Sequence, residues 1–413
     1  MTPSSAGTEG GTADRPALRR CTSLHPDDFA AHVWSRDASL SRAAALPRDF
    51  TDLLDLDAAD AVLSRQGLRA PFVRVAKDGA TLANARFTTA GGVGATIGDQ
   101  VNDTRLTSLF ADGATVVLQA LHRTHAPVVD FAQALAADLG HPVQVNAYVT
   151  PPQSQGFSAH YDVHDVFVLQ VAGRKRWRIH PPVHPAPLRD QPWTDHRAAV
   201  EAAAEREPLL DVVLEPGDAL YLPRGFLHAA TALGDISAHL TAGVHVWTRR
   251  HLVERIVAAM SDVEELRSSL PLGVDVTDPD TLREELERTA KLLAAHVTDA
   301  DLASAANGLV NEALAAGRPA PVGPFAQARA AAAATQDTRL RWRPNLAVAT
   351  SVDGERLVVR TPDGPVRLPA AAGPAVERLR GGDTLAVRDL PGADDARLHL
   401  ARMLLTECLT VLA

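Results

Sequence analysis

The sequence predicts a mixed α/β protein built on an antiparallel barrel or jelly roll, followed by a helical region and a small α+β domain. Three observations carry this reading. Between about 143 and 248, short β-branched segments alternate with Pro, Gly and Asp turn signals; 249–330 changes to helical periodicity; beyond 331, alternating strands are separated by Asp-Gly pairs.

At 413 residues the chain exceeds one ordinary core, so two or three domains are expected. With 46% hydrophobic and 22% charged residues, it has the composition of a soluble globular protein. A net charge of −9 disfavours direct binding of nucleic acid by the surface as a whole. The two cysteines, Cys21 and Cys408, match no metal or redox spacing, and the lack of a disulfide framework fits a reducing cytoplasm. Residues 1–24 open with a Gly-, Ser- and Thr-rich stretch without a signal-peptide core and are expected to be a disordered tail. No run approaches the roughly 20 apolar residues that span a bilayer, so no membrane association is expected.

From 25 onward, Asp27 and Asp28 open a helix through "DDFAAHVWS", "GATVVLQAL" (113–121) reads as a buried strand, and "VVDFAQALAADLG" (128–140) reads as a helix closed by Gly140. Strands follow at "VQVNAYVT", "DVFVLQVAG", "KRWRIHPP", "DVVLEPGDALYLP" and "SAHLTAGVHVW", with Gly173 read as a turn between the second and third. Residues 186–210 interrupt them as a loop with a short helix. In "DPDTLREELERTAKLLAAHV", Asp278 and Pro279 supply an N-cap and N1 pair, and Leu282, Leu286 and Leu293 offer an apolar face for this chain or a second subunit. An Ala-rich linker near 331 leads to hairpins turning at Asp353-Gly354 and Asp363-Gly364, a layout of winged-helix type. Residues 331–413 hold 11 arginines, no lysine and 10 acids, a near-balance that disfavours a DNA-reading wing.

The chemistry concentrates in "GFSAHYDVHDVFVLQVAGRKRWRIHPP". On a strand, His160 and Asp162 would project to one side while Tyr161 faces away. His228, after the Pro223–Gly225 turn, is placed to join them. Two neutral imidazoles and one carboxylate on one face of a metal leave open positions, as in non-haem Fe(II) oxygenases. A hydrogen-bonded His–Asp pair at a sheet edge is the plainer alternative. Lys175 could serve as a buried point charge or as a solvated member of the Arg174-Lys175-Arg176 run. Asn146 and Tyr148 share one strand face and are candidates to line a pocket or to serve structure alone. His164 lies on the His160 face if the strand is regular, and His239 and His245 read as packed strand histidines.

"NAYVTPPQSQGFSAHYDVHDVFVLQVAGRKRWRIHPP" followed by "GDALYLPRGFLHAATA" closely resembles the cupin-like JmjC oxygenases of the ribosomal oxygenase branch. The match is dense over about 143–248 and extends in layout to the chain after the tail. The resemblance implies a double-stranded β-helix catalytic domain at 25–248, a helical dimerisation region at 249–330 making a homodimer, and a winged-helix-like domain at 331–413. It implies Fe(II) held by His160, Asp162 and His228, with 2-oxoglutarate and O2 as co-substrates. Lys175 would pair with the distal carboxylate of 2-oxoglutarate, and Asn146 and Tyr148 would line its pocket. The implied reaction is hydroxylation of an Arg or His side chain in a protein, a ribosomal protein first. Tailoring of a peptide natural product and a non-catalytic cupin or winged-helix binding role are the alternatives.

Overall fold

A computed structural model describes residues 14–413; the first part of the expected tail, residues 1–13, lies outside the described residues. The remainder of that tail is not disordered. A short helix, Pro16–Arg19, buries Leu18, with Cys21 buried just beyond it, and the Asp138 carboxylate accepts from the N–H groups of Ala17 and Leu18 at 2.8 and 3.0 Å. Arg20 adds an ion pair to Asp52 at 2.6 Å. Two buried apolar side chains and a satisfied helix N-terminus outweigh the polar composition around them.

The chain divides into two compact units, one ending at Val246 and the other spanning Trp247–Ala413. In the first, strands β1 (Ser39–Ser41), β2 (Val73–Lys77), β3 (Ala80–Thr81), β4 (Thr88–Thr89), β5 (Gln100–Val101) and β6 (Thr115–Leu118) precede β7 (Val143–Thr150). The long strand β8 (Asp165–His180), then β9 (Leu210–Leu214), β10 (Ala219–Leu222) and the long β11 (Leu227–Val244) complete it. All but the β4–β5 ribbon join one antiparallel sheet ordered β1-β10-β8-β11-β7-β6-β2-β3, with β9 added to β8.

Where two strands and a turn are expected at Gly173, β8 runs on continuously. Its first half pairs with β10 and with residues 238–244 of β11; its second half pairs with β9 and residues 227–233. Gly173 is a bulge at the junction, with φ +59° and so little space that a Cβ would stand 2.1 Å from the Ile236 carbonyl oxygen. The extra residue reverses the alternation of the strand. Even-numbered Val166 and Val168 face the interior cavity before the bulge, and odd-numbered Lys175 and Trp177 face it afterwards. The partner strand switches in step, from His228 and Ala230 to His239 and Thr241.

The opposite face carries the main core, where Val145, Ala147, Phe167 and Leu169 meet Phe29 and Phe131. Each of the Val, Leu and Phe side chains, fully buried, contributes about 1.5–3 kcal/mol. The helix Ala126–Leu139 ends at Gly140 as its sequence predicts, and β6 is buried throughout. Residues 193–204 form a short 3-10 turn and the helix Arg197–Ala204.

In the second unit, helices Arg249–Ala259, Glu264–Arg267, Pro279–His296 and Asp299–Ala316 lead to Pro324–Ala332. The alanines at 330–332 therefore close a helix and only those beyond belong to a linker, because Gln327 is buried and donates to the carbonyls of Leu405 and Thr410. Asp278 caps its helix as expected; of its apolar face, Leu282 and Leu293 are half-buried while Leu286 stays 61% exposed among the described residues. The last 80 residues form two three-stranded sheets, with hairpins turning at both Asp-Gly pairs, and the helices Gly373–Arg380 and Asp394–Thr406. Leu340, Val359, Leu368, Val376, Leu379 and Leu404 make a core of their own. Residues 410–412 close the chain as a short strand that pairs with 340–342.

Candidate metal centre

His160 and Asp162 lie in the loop before β8, not on a regular strand, so spacing of two along a pleat does not align them. The backbone does so otherwise. His160 and the first turn of β11 exchange both hydrogen bonds, His160 N to His228 O at 3.2 Å and His228 N to His160 O at 2.8 Å. Gly225 N donates to Asp162 O at 3.0 Å, and Gly225 (φ +90°) allows the turn to pass close under the His184 carbonyl. These bonds tie the loop to the start of β11. One ligand atom each from His160, Asp162 and His228 falls within a cluster no wider than 4.8 Å.

The donor set suits a divalent metal. His160 Nδ1 lies 2.7 Å from the Ser158 carbonyl, and His228 Nδ1 lies 3.1 Å from that of Phe226. A carbonyl only accepts, so both Nδ1 atoms carry a proton, which leaves the Nε2 atoms as the ones to face a metal, as in metal-bound histidines. His228 Nε2 is 3.7 Å from Asp162 Oδ2. Burial, then the neighbouring His160, push His228 down to about 4, which favours the neutral ring. Burial raises the Asp162 carboxyl, but the combined fields of His164, His228, His160 and Arg74 hold it below its ordinary value. The cluster opens into a cavity of about 600 Å³.

Lys175 is 4% exposed and lines the same cavity. Its Nζ donates to Thr150 Oγ1 at 3.0 Å, and burial alone pulls the ammonium down to about 7. That displacement disfavours the charged form by on the order of 5 kcal/mol. A carboxylate entering the cavity would reverse it.

Tyr148 reaches the cavity, where its ring stacks on His239 at 5.0 Å and burial lifts its hydroxyl to about 12. Asn146 does not line the cavity: its Oδ1 accepts from the Ala120 N–H at 2.9 Å, in a turn where Ala120 is left-handed (φ +55°). His164 is also outside the lining; it packs edge-on to His245 at 5.3 Å, with Nε2 3.3 Å from Gln144 Nε2.

Sequence reasoning missed several residues around the cavity. Thr150, which accepts from Lys175 behind the wall, continues the 146–148 alternation and could have been found. His239, buried and held well below its usual value first by burial and then by Lys175, faces the cavity because of the β11 register shift. Arg74, with its Cζ 5.0 Å over the Phe157 ring, arrives from β2 and left no signal in the sequence.

Comparison with known proteins gives three findings. The family described as JmjC domain matches residues 122–252. Ribosomal oxygenase 1 of Homo sapiens is 31% identical over 264 residues, covering 60% of this chain and 38% of that protein. The bifunctional lysine-specific demethylase and histidyl-hydroxylase NO66 of Drosophila persimilis is 38% identical over 139 residues, covering 32% of this chain and 19% of that protein. The chain thus matches well under half the length of these curated relatives. Among solved structures, the ribosomal oxygenase YcfD of Escherichia coli in complex with cobalt and 2-oxoglutarate has a TM-score of 0.51 at 17% identity, covering 94% of this chain and 98% of that one. That likeness establishes a shared mixed α/β, cupin-like fold. Residues 122–252 thus match the JmjC domain, and over the aligned residues the chain is homologous to ribosomal oxygenase 1 and NO66, on a fold shared with YcfD.

Proposed function

We propose that this chain is an Fe(II)- and 2-oxoglutarate-dependent oxygenase that hydroxylates an Arg or His side chain of a protein, a ribosomal protein first. The observation that carries it is the convergence of His160, Asp162 and His228 on one cavity with Lys175, a buried cation for which no carboxylate partner is found among the described residues. The names ribosomal oxygenase and histidyl-hydroxylase borne by its relatives support the same reading.

In this reading His160, Asp162 and His228 hold the metal, their Nδ1 bonds and the Gly225 contact keeping the donors oriented before it arrives. Bound there, Fe(II) supplies the redox chemistry by which O2 and 2-oxoglutarate yield succinate, CO2 and one hydroxyl inserted into a C–H bond. Lys175 holds the far carboxylate of 2-oxoglutarate, with Thr150 steadying the ammonium. Tyr148 and His239 close the wall beside it and exclude water. Asn146 acts at one remove, fixing the turn at Ala120.

Residues 25–248 would form the catalytic domain, 249–330 a dimerisation region and 331–413 a winged-helix-like domain. Leu252, Val253, Val257 and Leu286, all 44–61% exposed on two helices of the second unit, support a homodimer. No helix among the described residues is long and apolar enough to cross a membrane. That, and the unbridged cysteines, support a cytoplasmic site of action. Aerobic incubation with Fe(II) and 2-oxoglutarate should release succinate, and ribosomal proteins from cells lacking the chain should include one lighter by the mass of one oxygen. Succinate without any such shift would favour a peptide substrate; no succinate from folded, metal-loaded protein would overturn the enzyme reading in favour of a binding role.

A further inference from the structure

The turn that leads into His228 is held by a buried carboxylate outside the cavity wall. Asp165, the first residue of β8, is 0% exposed. Its Oδ1 accepts from Arg224 N at 3.0 Å and lies 3.6 Å from the Arg224 guanidinium. Its Oδ2 accepts from Tyr221 OH at 2.6 Å and from Ser35 Oγ at 2.7 Å. Tyr221 OH in turn accepts from Ser35 N at 2.9 Å, and Ser35 is left-handed (φ +54°), a conformation that a serine keeps only where its surroundings impose it. The loop before β1, strand β10 and the turn after it therefore close on one carboxylate. Burial, then the Asp165 charge, push the Tyr221 hydroxyl far above its usual range, so it stays a donor.

Consecutive residues of the turn serve different partners. Arg224 N donates to Asp165, Gly225 N donates to the Asp162 carbonyl at 3.0 Å, and the Phe226 carbonyl accepts from His228 Nδ1 at 3.1 Å. The first bond fixes the turn; the next two orient two of the three candidate ligands. Ser35, Asp165, Tyr221 and Arg224 do not line the cavity, so none is placed to touch a metal, co-substrate or substrate there. A buried ion pair is a weak source of stability, because desolvation of both charges offsets their attraction, but it can specify one arrangement of the segments that carry it.

We infer that Asp165 is a positioning residue of the metal centre: through the Arg224 backbone N–H it sets the turn that keeps the Asp162 and His228 donor atoms together. The inference rests on the proposed metal centre, and its test includes a readout that needs no metal.

On the full-length protein, Co(II) affinity read from the visible absorption of the bound ion should fall by about 10–100-fold in D165A. D165N keeps an oxygen for Arg224 N, and both hydroxyls can turn to accept from its amide, so its affinity should stay within about threefold of the wild type. L135A, which empties a core position on the helix Ala126–Leu139, should lower the melting temperature without moving the affinity. In the metal-free protein, hydrogen exchange over residues 224–228 should speed up in D165A and not in D165N. If D165A does not fold, Y221F, which removes one bond to Oδ2, takes its place with an expected loss of about threefold to tenfold. Wild-type affinity in folded D165A, or in Y221F where it stands in, would overturn the inference, as would a loss in D165N as large as in D165A. Absence of Co(II) binding by the folded wild-type protein would sink the metal centre itself, and the exchange comparison would still decide whether Asp165 holds the turn.

Discussion

Lys175 concentrates the tension in the site. Burial leaves it near 7 in the free protein, while a bound carboxylate would keep the proton on and raise that value. Affinity for 2-oxoglutarate should then be level below pH 7 and fall as pH rises, by on the order of tenfold between pH 6 and 8. Calorimetry on protein loaded with a redox-inert divalent metal, in two buffers of different ionisation enthalpy, should show uptake of nearly one proton at pH 8. A flat profile would mean that Lys175 does not meet the ligand. The sequence placed this lysine only with help from a family resemblance, since Arg174-Lys175-Arg176 reads equally well as a solvated run. What distinguishes the middle residue is the bulge before it. Asn146 shows the reverse case: its alternation with Tyr148 was legible, but the left-handed Ala120 that claims its oxygen was not.

At the scale of elements, the bent pair β8 and β11 is what assembles the cavity. The strands were legible as short apolar segments, yet their continuity through residue 173 was not, because a glycine between two strand-like runs signals a turn as readily as a bulge. The consequence is testable at that residue. Gly173→Ala would combine a left-handed backbone with a Cβ driven against the Ile236 carbonyl, at a cost of about 2 kcal/mol or more. It should lower the melting temperature and weaken 2-oxoglutarate binding together, through the displaced Lys175. Normal 2-oxoglutarate affinity in a destabilised protein would separate the bulge from the site. The His160–Asp162 pair carries a similar lesson: the two residues do meet His228 within 4.8 Å, although the strand expected to align them is a loop pinned by His228 and Gly225.

For the whole molecule, the two units have separate cores, and the second leaves Leu286 and neighbouring helices with apolar side chains in solvent. Their helical periodicity was plain in the sequence, but periodicity does not say what a face packs against. If a second copy covers it, light scattering should give twice the chain mass, and Leu286→Glu should shift the equilibrium toward monomer without lowering the melting temperature of the separated chain. A wild-type monomer at all accessible concentrations would refute the homodimer. The central claim, that His160, Asp162 and His228 hold iron beside a 2-oxoglutarate site anchored by Lys175, is tested most directly by anaerobic titration with Fe(II) and 2-oxoglutarate. A weak visible charge-transfer band should require both additions, disappear in His160→Ala, and persist in Lys175→Ala with its midpoint moved to higher 2-oxoglutarate. No band from folded wild-type protein, or a band unchanged in His160→Ala, would contradict the account.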